Sequence, residues 1–400
     1  MASSQLVREY RRTNETVQKT HVDIKLKKYD ISLGLDIPDF GVVSGEIGVS
    51  VSESLETSKR LKSSAWVLLA HRTFKASLQP SLAGQIGFSE QCVAEVDAIG
   101  IFFPDIQSEA IRICFTAWLG YACAMDDVLE TMPPLEGEAE LLRCIDVMRT
   151  GASSTFVRSK VDPSIQDMTR SLRCHCIRQL SERSFHAFME AVCTVLRAHV
   201  DETRFLQGRI TNELSTYMKI RSRTIALDPF FEVIKTEYLP TGMNQVPHYW
   251  QKLQHTVSTA VGLQNDLIGL ERDIQNGEPL NAAIILMRDY GSDLKELDEA
   301  LLSECISRVT VEHNRHVAQA LELVAEVYEL NGATGSDSIL EVARHILMIC
   351  QTHLRWFSFK SKGCHLTSVI KLFYWLCSWS LLMPSGRHFE LLQGQNRLSN

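Results

Sequence analysis

The sequence predicts an all-α protein, and three observations carry that prediction. From about Leu61 onward apolar residues recur at helical spacing almost throughout, no alternating strand pattern survives after residue 60, and no repeat of fixed period breaks the run. Candidate helices lie near 61–79, 105–131, 136–150, 173–208, 210–223, 245–275, 279–290, 294–331, 336–357 and 365–382. They are separated by Pro133-Pro134, Gly151, Asp228-Pro229, Pro240 to Gly242, Gly291-Ser292, Asn331-Gly332 and Gly363. Long helices in such succession are expected to pack around a common centre as one domain over 61–385, a helical bundle about a central cavity. Residues 1–60 read as a partly irregular extension, because Tyr29 to Val51 mixes Gly, Pro, Asp and Ser with β-branched residues and has no helical period. Residues 386–400 form a tail, and the polar stretch Ala152 to Arg170 is expected as a loop or short helices.

Composition narrows the classes. Of 400 residues 45% are hydrophobic and 22% charged, which is ordinary for a soluble globular protein, and the net charge of −7 leaves no basic stripe to neutralise nucleic-acid phosphates. An anionic ligand would need a metal ion or a few placed Arg and Lys. Eleven cysteines are scattered from Cys92 to Cys377 without paired metal-type spacing. Cys174 and Cys176 flank His175 but have no second pair, so zinc is not expected and a reducing cytoplasmic setting fits. Met1 to Lys19 lacks the apolar core of a secretory signal. Leu372 to Met383, broken by Ser378 and Ser380, is shorter than the ~18–20 residues that span a bilayer and reads as a buried helix.

Two helices carry carboxylates where their apolar faces should continue. Along 105–131 the stripe Phe115, Leu119, Ala122 leads by the same step to Asp126 and then Glu130, within Asp126-Asp127-Val128-Leu129-Glu130. Along 245–275 the stripe Trp250, Val257, Val261 leads to Asn265, followed at intervals of four by Gly269 and Asp273, with Arg272 beside Asp273. Burying unpaired carboxylates costs several kcal/mol, so such groups are tolerated where a cation or a water-filled cavity meets them. Oxygen donors of this kind suit a hard cation such as Mg²⁺. Either cluster alone is better explained as a solvated helix face; the pair, on two long helices of one chain, favours a metal site.

With these motifs the chain resembles a class I terpene synthase (terpene cyclase) of the single α-domain kind found in microbes and some animals. That family has an aspartate-rich D-D-x-x-D/E motif, matched by Asp126 to Glu130 after the run Phe103-Pro104-Asp105 to Met125. Its downstream N-D/x-x-x-S/T-x-x-x-E motif is matched by Asn265 to Asp273. Its diphosphate-sensing Arg, in a Y-x-x-x-R-x-x-T setting, is matched by Arg221 in Tyr217 to Thr224, where Thr224 and Ile225 would link ionisation to helix bending. Gly277-Glu278 and Asn281 are also family-like, and the resemblance spans about 60–383. Three departures stand out. Gly269 replaces a Ser or Thr ligand and is expected to leave room for a water, and Asp273 replaces Glu. The late Arg-Tyr pair is missing, with Lys362-Gly363 its best match and Lys362 a point-charge substitute.

The resemblance implies an all-helical enzyme that ionises a linear prenyl diphosphate with three Mg²⁺ ions and cyclises the carbocation. Asp126, Asp127, Glu130, Asn265, Gly269 and Asp273 would form the metal positions, and Asp126, Arg221, Asn265 and Asp273 the catalytic set. Arg221, Arg272 and Lys362 would bind diphosphate. Phe103, Phe115, Trp118, Tyr121 and Trp356 are the cavity candidates, with Phe102 nearby, since aromatic faces stabilise cations. C15 and C20 diphosphates are the realistic substrates. Small residues at Gly120, Ala122 and Ala124 favour C20 slightly, and a homodimer is left open. The rivals are a chain-elongating prenyl diphosphate synthase, which normally needs a second Asp-Asp motif and nearby basic residues, and a non-enzymatic helical scaffold.

Overall fold

The computed structural model describes residues 17–40, 65–151, 163–240, 247–291, 298–331 and 337–360. The chain opens with a hairpin, β1 (Gln18–Leu26) and β2 (Ile31–Asp39), paired antiparallel with Leu26 opposite Ile31 and Val22 opposite Leu35. This hairpin, not anticipated from sequence, lies within the partly irregular extension expected for residues 1–60, of which residues 17–40 are described. Val22, Ile24 and Leu26 alternate with polar residues, as do Leu33, Leu35 and Ile37 on the partner strand, and one face of the ribbon is buried. That face joins a core shared with Leu263, Leu267, Leu270 and Leu354. The backbone N–H of Lys28, in the turn, donates to Glu271 Oε1 at 2.6 Å.

Twelve helices follow among the described residues: α1 (Ala65–Leu78), α2 (Phe88–Phe102), α3 (Glu109–Leu129), α4 (Pro134–Thr150), α5 (Ile165–Cys176), α6 (Glu182–Leu206), α7 (Leu214–Thr224), α8 (Asp228–Tyr238), α9 (Pro247–Asn276), α10 (Ala282–Asp289), α11 (Glu299–Asn331) and α12 (Asp337–Lys360). The all-α expectation holds for the body of the protein, with three corrections. Helix α2 was not anticipated. The expected helix 173–208 is two helices, because Ser181 caps a new start by accepting from the Ser184 N–H. Helix α8 begins at the Asp228-Pro229 pair read as a breaker; Pro sits in its first turn, where its missing N–H has no helical partner to lose. The candidate helix 365–382 lies outside the described residues.

Helix α3 is the central rod. From Ile113 to Asp126 every residue is buried, so it packs on all sides rather than along one stripe, against α1, α2, α5 and α8. Gly120 faces α1 and α2, where Glu95 accepts from His71 Nε2 at 2.5 Å and from Lys75 Nζ, all three fully buried. A Cβ at 120 would stand 2.9 Å from His71 Cε1 and 3.3 Å from Glu95 Oε2. The absence of a side chain at Gly120 therefore makes room for an ion network on that face.

Helix α9 packs against α7, α11, α12 and α10. It ends at Gly277, whose φ of 70° lets the Glu278 N–H reach back to the Asp273 carbonyl at 2.8 Å. Asn281 then caps α10 by accepting from the Ala283 N–H at 3.0 Å. The described cysteines are free thiols, buried except for Cys174. His175 stacks on Phe74 at 4.7 Å, consistent with a structural C-x-C. Among the described residues no helix is long and apolar enough to cross a membrane.

Candidate active site

Helices α3 and α9 bring the two acidic motifs to one interior region. Asp126 is 4% exposed, and its Oδ1 is buried with no hydrogen-bond partner among the described residues. Burial, then the neighbouring carboxylates of Glu130, Asp127, Glu202 and Glu278, push its carboxyl well above the ordinary range. Glu278 stands between the motifs. Burial, then Asp273 from one motif and Glu130 from the other, lift its carboxyl to about 9, opposed by Arg272. Glu130 is half-buried, whereas Asp127 is exposed and accepts from Gln79 Nε2 at 3.3 Å, on another side of α3 from Asp126.

On α9, Asn265 is fully buried and Asp273 is 1% exposed. Arg272 donates to Asp273 Oδ1 from Nη2 at 2.7 Å and Nε at 3.2 Å, and Asn281 Nδ2 donates to Asp273 Oδ2 at 2.8 Å. Burial nevertheless raises the Asp273 carboxyl above its usual value. The place beside Gly269 differs from the expected water-sized space. A Cβ there would lie 3.1 Å from Arg272 Nη2 and 3.2 Å from Asp273 Oδ2, so the Arg272–Asp273 pair fills it.

Arg221, on the last turn of α7, is 8% exposed, and its Nε donates to Asp266 Oδ1 at 3.0 Å. Tyr217 Oη at 2.8 Å and the Ala282 N–H at 3.1 Å donate to Asp266 Oδ2. Burial lifts Asp266 to about 6 against these donors, so it is ionised and paired with Arg221 at neutral pH. Helices α7 and α9 approach closely here, since a Cβ at Gly262 would stand 3.1 Å from Arg221 Cγ. Three residues further on, Thr224 Oγ1 donates to Glu202 Oε1 at 3.2 Å, and His199 Nδ1 lies 3.2 Å from Glu202 Oε2.

The aromatic candidates divide. Phe103 and Phe115 form a triad with Phe230 of α8, ring centroids 4.8–5.1 Å apart. Tyr121 instead turns toward α5, its hydroxyl 2.8 Å from Thr169 Oγ1. Trp118 donates its indole N–H to the Ala226 carbonyl at 3.0 Å. Trp356 sits edge-on to Phe102, ring centroids 6.0 Å apart. Lys362 lies outside the described residues.

The donor set fits a divalent cation bound together with substrate. Among the described residues no three His, Cys, Asp or Glu side chains form a metal cage by themselves. Mg²⁺ is commonly held by one or two carboxylates, with waters and substrate phosphates completing the shell. The orphaned Asp126 oxygen amid like charges is the feature such an ion would relieve. Glu278 also gives a measurable consequence. Its folded value of about 9 exceeds the ordinary 4.5, so the folded state keeps a proton that the unfolded chain has lost. Ion-free protein should therefore lose stability as pH rises from about 7.5 to 8.5, above the ordinary histidine value of 6.5 and below the folded value of Glu278. Glu278→Gln should flatten that slope in melting curves, and equal slopes would show that Glu278 is not held protonated.

The fold these helices build is that of the class I terpene synthases. The chain aligns with linalool/nerolidol synthase from Streptomyces clavuligerus at a TM-score of 0.57 and 18% identity, covering 74% of this chain and 95% of that one. It aligns with 2-methylisoborneol synthase from Streptomyces coelicolor A3(2), solved with Mg²⁺ and 2-fluorogeranyl diphosphate, at 0.53 and 14%, covering 68% and 84%. Residues 117–309 match the family described as terpene synthase family 2, C-terminal metal binding. Through that segment the chain is similar to the metal-binding domain of that family, and the solved structures share its fold.

Proposed function

We propose that the protein is a Mg²⁺-dependent terpene cyclase that ionises a linear prenyl diphosphate, cyclises the resulting carbocation and releases diphosphate. The observation that supports this most is the buried Asp126 carboxylate on α3. It has one oxygen without a hydrogen-bond partner among the described residues, and through Glu278 it shares its surroundings with Asp273 on α9. That a structural neighbour was solved with Mg²⁺ and 2-fluorogeranyl diphosphate supports the same reading.

In this reading the allylic C–O bond breaks heterolytically, with both electrons leaving on the diphosphate. An internal double bond then attacks the cation, and loss of a proton or capture of water ends the sequence. Asp126, Glu130, Asn265 and Asp273 would hold Mg²⁺, three ions by the family resemblance, with Asp127 in support. When bound, Mg²⁺ supplies Lewis-acid withdrawal of charge from the leaving group. Arg221 and Arg272 donate to the diphosphate through charge-assisted hydrogen bonds that strengthen as charge develops. Arg272 lies on Asp273 in this structure, so the guanidinium would have to leave that carboxylate for Asp273 to hold an ion and Arg272 to reach the diphosphate. The Phe103–Phe115–Phe230 triad excludes water and offers ring faces to a cation.

The test is to incubate the purified protein with geranyl, farnesyl or geranylgeranyl diphosphate, with Mg²⁺ or with chelator, and to analyse extracts by gas chromatography with mass detection. Cyclic hydrocarbons or alcohols that require Mg²⁺ are expected from the C15 or C20 substrate. Longer diphosphates formed with added isopentenyl diphosphate would instead support a prenyl synthase. No Mg²⁺-dependent diphosphate release from any of the three would overturn the proposal.

A further inference from the structure

The break between α7 and α8 consists of Ile225, Ala226 and Leu227, all buried. Ala226 has φ 62°, in the left-handed region that residues with a Cβ rarely enter. Among the described residues the only other non-glycine there is Asp30, in the hairpin turn. A strained, buried backbone of this kind persists only when its surroundings over-determine it. Three contacts to three helices do so here. Arg221 is fixed to Asp266 on α9, Thr224 to Glu202 on α6, and the Ala226 carbonyl to the Trp118 indole on α3.

The third contact stands apart, because it ties the break to the helix that carries Asp126. Trp118 lies eight residues before Asp126, roughly 12 Å along α3. Its side chain is fully buried, with the ring stacked on Tyr121 at 5.8 Å and edge-on to Phe188 at 6.3 Å. The indole edge is thus committed to Ala226 and one ring face to Tyr121, a poor disposition for the cation-facing wall expected from sequence.

We propose that Trp118 is a positioning residue: its indole N–H, donated to the Ala226 carbonyl, holds the left-handed break between α7 and α8 and so fixes Arg221 relative to Asp126. The inference rests on the terpene cyclase reading. Without the N–H, a buried carbonyl loses its donor and Ala226 loses a reason to remain left-handed. Helix α7 can then shift while the core around the ring is unchanged.

The test replaces Trp118 in the full chain with 3-benzothienylalanine, an isostere bearing sulfur in place of N–H, and with Phe as a second variant. Each is also combined with Ala226→Gly, which adopts positive φ without strain. Single-turnover diphosphate release is measured with the prenyl diphosphate that the wild type consumes, alongside binding of Mg²⁺ with inorganic diphosphate. The isostere should slow release at least about 10-fold, since misplacement of a charge-stabilising group by about 1 Å can cost up to about 100-fold. Binding should stay within about twofold and circular dichroism unchanged, and Ala226→Gly should recover part of the lost rate, because the strain no longer needs to be held. Wild-type release from both variants, or a loss that Ala226→Gly leaves untouched, would overturn the proposal while the cyclase reading stands. A wild type that releases diphosphate from no prenyl substrate would overturn both.

Discussion

Asp126→Asn is expected to lower turnover at least about 100-fold, the order seen when a group that stabilises transition-state charge is lost. In the same protein it should raise the melting temperature measured without divalent ions. The two effects share one cause. Asp126 is buried, one of its oxygens has no hydrogen-bond partner among the described residues, and Glu130, Asp127, Glu202 and Glu278 act on it as like charges. Its ionised form is therefore penalised in the ion-free fold and not in the unfolded chain, so a neutral side chain of the same size removes a liability. With Mg²⁺ and diphosphate present the order should reverse, the wild type gaining more stability than the variant by mass action. Differential scanning calorimetry with and without Mg²⁺ and diphosphate, beside product analysis and far-UV circular dichroism, checks all three points. A variant that is fully active, or less stable without ions, would show that Asp126 is a structural carboxylate. Asn265→Ala, on the facing motif, should lose activity to a similar degree without altering the far-UV spectrum.

The helical body and both acidic motifs were legible because their signals are local. Period 3.6 marks the helices, and a carboxylate on an apolar stripe marks a buried charge. The same stripe argument, applied to α6, would have found Glu202. Phe188, Val192, Val195 and His199 step along one buried line and reach it, just as Phe115, Leu119 and Ala122 reach Asp126. Asp266 was overlooked because its importance is as a partner: an Asp next to Asn265 says nothing in sequence about Arg221 45 residues earlier. Phe230 was hidden by reading Asp228-Pro229 as a stop when it is a helix start. The hairpin was missed because Gly34 and Pro38 dilute its composition, although its alternation was clean. Gly120, one of the small residues before Asp126, was illegible for a different reason. Sequence shows that Gly120 has no side chain but not which neighbour uses the space, and here His71 and Glu95 do.

Arg221→Ala should abolish ionisation even at saturating Mg²⁺, again by at least about 100-fold, yet this variant alone would be ambiguous. Arg221 also pairs with Asp266, which is 1% exposed, and removing one member of a buried ion pair costs about 3–5 kcal/mol. The lower end applies, because Tyr217 and the Ala282 N–H still donate to the stranded carboxylate. Activity lost through unfolding and activity lost through chemistry can be separated by neutralising the partner as well. In Arg221→Ala/Asp266→Asn no charge is left unpaired, Asn can still accept from Tyr217 and Ala282, and the melting temperature should return most of the way to wild type. Ionisation should not return, since the guanidinium aimed at the developing diphosphate charge is absent. If the double variant instead released diphosphate at the wild-type rate, Arg221 would be a structural counter-ion for Asp266. The work assigned to the α7 terminus would then pass to Arg272, the other guanidinium that reaches the second motif.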